Sequence, residues 1–148
     1  MELSNKMGQY ASRTRLIELF INDLYEGVYV LMEKIKKDEN RVDIATLRAE
    51  DIAGDELTGG YIFKIDKGDI DWFSQYDMSL NPGQKLGFQY VYPQRSEIQT
   101  EQENYIQSYV DSFENAMNNS DFIYGGKHYT DYIDQTSFID YFLHSEMS

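Results

Sequence analysis

The spacing of apolar and polar positions divides the chain into a strand-rich first part and a helical second part. Residues 15–21, Arg15-Leu16-Ile17-Glu18-Leu19-Phe20-Ile21, read as a strand. Residues 22–27 are rich in turn formers. Residues 28–35, Val28-Tyr29-Val30-Leu31-Met32-Glu33-Lys34-Ile35, form a second strand-like run rich in β-branched side chains. Two strands joined by a short polar loop predict an antiparallel hairpin. Neither strand alternates cleanly, so both faces are expected to be covered, as inside a sheet. Residues 61–66 and 86–92 are predicted as further strands, the latter stopped by Pro93. Residues 67–84, closing at Asn81-Pro82-Gly83, are predicted as a loop.

Helical spacing dominates elsewhere. Residues 2–9 read as the last turns of a helix, with Leu3 and Met7 four apart and Gly8 as its C-cap. Ser96 with Gln99 predicts a capping box. Ile98, Tyr105, Ile106, Tyr109, Val110, Phe113 and Met117 follow as one apolar stripe, ended by Asn118-Asn119-Ser120. Thr136 is expected to cap a last helix carrying Phe138, Ile139, Phe142 and Leu143 on one face and running to Ser148. A helix with little beginning and one that meets the C-terminus predict a chain cut at both ends. Residues 36–57 are mostly charged and predict an exposed linker with a short helix or turn near residues 46–51. No repeat or low-complexity segment is visible. The expected fold class is α+β: a small antiparallel sheet carrying the hairpin, with the helix of residues 96–118 packing against the final one.

Composition narrows the partners. The chain has 148 residues, enough for one domain or most of one. At 41% hydrophobic and 15% aromatic it can build a core rather than remain disordered. Thirteen tyrosines supply rings with polar tips, suited to half-exposed positions over clefts and interfaces. A net charge of −13 argues against nucleic-acid backbones and anionic membranes, and its plainest meaning is solubility. With no cysteine, disulfides, thiolate zinc sites and cysteine nucleophiles are excluded. No apolar run approaches a membrane span, and the polar start from Met1 to Lys6 does not resemble a signal peptide.

Candidate chemistry is sparse. Thr58-Gly59-Gly60 can bring backbone close to a phosphate but lacks nucleotide-loop spacing, and reads better as a turn. Asp66, Asp69 and Asp71 around Gly68 offer hard oxygens but no calcium-loop pattern, and read as a solvated acidic loop. His128, in a polar loop, and His144, four residues after Asp140, are read as surface residues rather than general bases. Lys34, Lys36, Lys37 and Arg41 form a basic island able to neutralise phosphates, or simply an exposed charged turn.

Residues 15–35 resemble the CotH family of spore-coat-type atypical protein kinases. The family pattern is a strand, then Asn-Gly-x-Tyr-x-Gly-x-Tyr, then an apolar run ending in Glu. Asn22, Tyr25, Gly27, Tyr29 and Glu33 match it, and Asp23 stands where the family usually has Gly. Residues 34–44 and 57–66 resemble the branch found in many bacterial surface proteins. The likeness loosens over residues 67–135 and returns over 137–147.

The resemblance implies part of a single kinase-like domain over residues 1–148, with N-lobe strands within 14–92 and a helical part over 96–148. It implies ATP-dependent phosphorylation of Ser or Thr on surface or coat proteins, with Mg2+ or Mn2+. It places Glu33, Lys34 and Ile35 at the hinge beside adenine, with Met32 or Ile35 against the base and Lys64 near the same cleft. The catalytic Asn and Asp segments would lie outside the chain, so no catalytic residue and no metal ligand is assigned within it. The implied setting is a spore coat, cell surface or secreted location. The alternative is a non-catalytic module binding protein or glycan through a tyrosine-rich surface. Exposed apolar area from a missing lobe would favour self-association.

Overall fold

The computed structural model describes residues 2–146, with side chains from Ser4 onward. The fold is α+β. The chain separates into two compact units, one formed by the residues up to Asp43 together with those from Thr136, the other by Ile44–Gln135.

The first unit begins with helix α1 (Glu2–Lys6). Gly8 follows at φ 80°, the left-handed cap conformation expected of it. Leu3, paired with Met7 in the sequence pattern, has a side chain outside the described residues. Strands β1 (Thr14–Ile21) and β2 (Leu24–Met32) then pair antiparallel, with Thr14 opposite Met32 and Ile21 opposite Leu24. The connection is shorter than expected. Asn22 and Asp23, at φ 51° and 63°, make it alone, because a two-residue turn matching strand twist needs positive φ at both positions. Leu24 to Gly27 therefore join β2, and the strand ends at Met32 rather than at residue 35.

The expectation of covered faces is corrected. β1 and β2 form a two-stranded sheet, and most of their residues are exposed, Leu16 at 71% and Leu24 at 67%. Helix α3 (Gln135–Glu146) carries Phe138, Ile139, Phe142 and Leu143, which are exposed as well. It begins one residue before the predicted cap Thr136, and the predicted extension to Met147 and Ser148 lies outside the described residues.

The second unit has the core. Strands β3 (Ile62–Lys64), β4 (Trp72–Met78) and β5 (Asn81–Tyr92) form an antiparallel sheet in the order β3-β5-β4. β4 occupies the segment expected to be a loop, and β5 starts at Asn81 instead of residue 86. Ser79 and Leu80 connect them. Helix α2 (Thr100–Asn118) buries Ile106 and Val110. Val110 joins Trp72 and Phe88 in the core, with Leu86 and Tyr90 packed against it. The Trp72 ring stacks at 4.9 Å on Phe88 and 4.6 Å on Tyr90, while Phe63 meets it edge-on at 5.6 Å. Full burial of an apolar side chain contributes about 1.5–3 kcal/mol. Met117, counted in the apolar stripe, is 45% exposed.

The helix start differs from expectation too. The capping box is Gln99 with Gln102, because residues 94–98 form a turn of their own. Gln102 is 1% exposed, and its amide also donates to the carbonyls of Arg48 (2.6 Å) and Asp51 (3.1 Å). The expected turn near residues 46–51 is present, closed by Asp51 N–H to Arg48 O at 3.1 Å. It is not an exposed linker, since Leu47 and Asp51 are buried. The Gly59-Gly60 pair serves close packing. Gly60 has φ 83°, and a Cβ there would stand 2.3 Å from the Ala45 carbonyl oxygen. Beyond α2, strands β6 (Ile123–Tyr124) and β7 (Lys127–His128) make a short hairpin where a polar loop was expected.

Candidate functional site

The β1–β2 ladder continues one step past the strands. The Glu33 N–H donates to the Arg13 carbonyl at 3.0 Å. That step sets the two side chains opposite each other. Arg13 donates from Nη2 to Glu33 Oε1 at 2.7 Å and from Nε to Oε2 at 3.1 Å. Arg41 adds its Nε to Oε1 at 2.8 Å. A guanidinium fork on a carboxylate is among the stronger polar contacts available. The hydrogen bonds from Arg13 are the main reason the Glu33 carboxyl is held down at about 2, against an opposing push from partial burial. The same contact raises the Arg13 guanidinium.

Arg41 is presented by a compact turn. Asp38 N–H donates to Val42 O at 3.2 Å, and Arg41 N–H donates to Asp38 O at 2.9 Å. Lys37 and Val42 form a parallel bridge. Glu33 thus ties together the approach to β1, the exit of β2 and the turn at residues 38–42. On the β1 side the chain is anchored further back, where Ala11 N–H donates to Asn5 Oδ1 at 3.1 Å.

Between these ties runs the segment marked by the sequence. Met32 closes β2 and is 56% exposed, and Ile35 is 52% exposed. Among the described residues, the backbone groups of Lys34 and Ile35 make no hydrogen bond to other backbone. A short stretch of available N–H and C=O groups flanked by apolar side chains can receive a flat heteroaromatic base, hydrogen-bonding its edge and covering its face.

The other candidates lie apart in kind. Lys64 belongs to the second unit, at the end of β3, and its ammonium donates to Asp66 at 3.1 Å. That bond, first among several causes, lowers the Asp66 carboxyl. Asp71 accepts from Tyr90 N–H at 2.7 Å and lies 3.7 Å from Arg95, which also pairs with Glu103. His128 caps the turn at Tyr129–Asp131, with Nδ1 2.9 Å from Thr130 Oγ1. His144 is part of α3. Among the described residues no group of three or more His, Asp or Glu is placed to hold a metal ion, and no helix is long and apolar enough to cross a membrane.

Sequence reading missed Arg13 as a partner of Glu33. Residue 13 comes opposite residue 33 only through the irregularity between Leu19 and Phe20, which the pattern of apolar and polar positions does not mark. Arg41 was noted only as part of a basic island.

The architecture defines an α+β chain with a hairpin whose exit is clasped by paired charges. A family model described as CotH kinase protein matches residues 1–148, and the chain belongs to that family. No curated protein and no solved structure matches it.

Proposed function

We propose that this chain forms the adenine side of a nucleotide site in a CotH-type kinase domain. The parent activity is ATP-dependent phosphorylation of Ser or Thr hydroxyls on surface or coat proteins, at a spore coat, a cell surface or outside the cell. The observation that carries the reading is the segment after β2, where Lys34 and Ile35 keep backbone groups available between exposed Met32 and Ile35.

The residues fit the base and do not fit the metal. Mg2+ or Mn2+ would neutralise the phosphates in such a reaction, but no carboxylate set for a cation is gathered among the described residues. No step is therefore assigned to a metal on this chain. Lys64 ends β3 in the second unit and is left out of the proposed site; its pair with Asp66 is exposed on both partners. Because phosphoryl transfer depends on positioned charges around the γ-phosphate, the chain alone is expected to bind nucleotide weakly and to transfer no phosphate. Its exposed hairpin makes self-association of the isolated chain the expected behaviour.

Titrating ATP into 15N-labelled chain tests the reading. Chemical-shift changes centred on residues 32–35 support it. No change up to millimolar ATP, or metal-dependent phosphate transfer by the chain itself, contradicts it.

One observation favours a second reading, a non-catalytic binding module. Tyr61, Tyr105, Tyr109 and Tyr132 are half-buried, and successive ring centroids stand 5.7, 6.3 and 5.4 Å apart. Such a row can take the apolar face of a sugar. Shifts in these rings with oligosaccharides, and none with ATP, favour it.

A further inference from the structure

Glu33 stands where the family resemblance implies a nucleotide contact, yet its carboxylate is already committed. Oε1 accepts from Arg13 Nη2 at 2.7 Å and Arg41 Nε at 2.8 Å, and Oε2 accepts from Arg13 Nε at 3.1 Å. A fourth, longer contact comes from the Arg13 N–H at 3.4 Å. An ionised carboxylate offers about four acceptor sites. The side chain is only 10% exposed. A base amino group reaching for it would have to displace a charge-assisted bond, exchanging a stronger contact for a weaker one.

The same bonds act on the neighbouring main chain. Residues 34–36 span two fixed points. One is Glu33, held in the ladder by its N–H to Arg13 O. The other is Lys37, bridged to Val42. The Glu33–Arg41 ion pair joins the two, because Arg41 sits in the turn closed by Asp38 and Val42. Among the described residues Lys34 and Ile35 make no backbone–backbone hydrogen bond, so their path depends on how firmly the ends are held.

We infer that Glu33 is a positioning residue of the adenine wall, whose side chain clasps Arg13 and Arg41 and presents the backbone of Lys34 and Ile35 without touching the nucleotide. The inference rests on the nucleotide reading above and sharpens it. Pre-ordering a binding segment removes an entropic cost that the ligand would otherwise meet. Loss of the clasp should therefore weaken recognition of the base, whatever phosphates follow.

The test compares the full chain with Glu33→Gln and Arg41→Gln, using adenosine and ATP as probes. Glu33→Gln keeps the side-chain size and removes the charge. It should leave the β1–β2 cross-strand contacts, such as Ile17 with Tyr29, intact by NMR. The heteronuclear NOE at residues 34–36 should fall, and adenosine and ATP should lose affinity by the same factor, roughly tenfold. Arg41→Gln should show the same pattern at smaller size. It carries the comparison if Glu33→Gln does not fold. Unchanged affinity with the hairpin intact overturns the inference alone. A loss confined to ATP also overturns it, by setting Glu33 against phosphate. Wild-type chain that binds neither probe overturns the nucleotide reading, and this inference with it.

Discussion

Trp72 and Leu31 are both large apolar residues on antiparallel strands, and their surroundings differ completely. Trp72, in β4, is 8% exposed, stacked between Phe88 and Tyr90 with Val110 of α2 in the same core. Leu31, in β2, is 59% exposed, with neighbours Val30 and Met32 as open as itself. The three-stranded sheet has a helix to bury one face. The hairpin has cross-strand hydrogen bonds and, at its open end, the Arg13–Glu33–Arg41 clasp. A two-stranded hairpin is marginal in water when nothing covers it. The difference teaches that packing organises the second unit, whereas in the hairpin charge and backbone register hold the segment that carries the candidate site.

That contrast can be challenged by substitution, beginning where packing is greatest. Trp72→Ala should destabilise the second unit by about 3–5 kcal/mol, the usual cost of emptying an aromatic core position. Urea unfolding followed by the helical signal of α2 measures it. A cost typical of a surface site would show that Trp72 does not organise this core. Gln102→Ala comes next, because it strands the carbonyls of Arg48 and Asp51 inside the protein. The expected loss is about 1–3 kcal/mol, with faster hydrogen exchange at the Gln99 amide, which Gln102 accepts at 3.1 Å.

The clasp should reveal itself through pH. Glu33 is depressed from 4.5 to about 2, chiefly by its hydrogen bonds to Arg13. A depressed carboxyl stabilises the folded form above its unfolded value, and that contribution disappears as pH falls through the folded one. The contribution of the clasp should thus be complete above about 4.5 and decline between there and about 2. The Glu33 side-chain carbon shift, followed by NMR, reads this directly. A midpoint near the ordinary value would mean that the arginines do not hold it in solution.

The smallest effect is expected on the open face. Leu16→Lys, at a position 71% exposed, should change stability by no more than about 0.5 kcal/mol. It should nevertheless lower light scattering and dye binding by the isolated chain. Equal scattering from both proteins would place any association elsewhere.

What was legible in the sequence followed the strength of local signals. β1 and α2 were readable, one from its apolar run and the other from helical spacing that ends at Asn118. β4 was not, for a definite reason. Its inward positions include Ser74, which is buried, while Phe73 points outward at 58% exposure. Alternation is present, but the polar and apolar assignments are partly reversed, so the pattern resembles a loop. The turn at Asn22-Asp23 was readable as a turn but not in length, since Leu24 and Tyr25 fit loop and strand equally. Of the candidate site, Met32 to Ile35 came from the resemblance. The Arg13–Glu33 contact depends on exact register over 20 positions, and Gln102 with Asp51 on a separation of 51, so neither is visible to local reading.

The central claim is that the segment after β2 faces adenine. Photolabelling the full chain with 2-azido-ATP, followed by peptide mapping, tests it most directly. The account predicts labelling confined to the peptide that contains Met32 to Ile35, suppressed by excess unlabelled ATP. Competed labelling in β4 or β5, or labelling that ATP does not suppress, would contradict it.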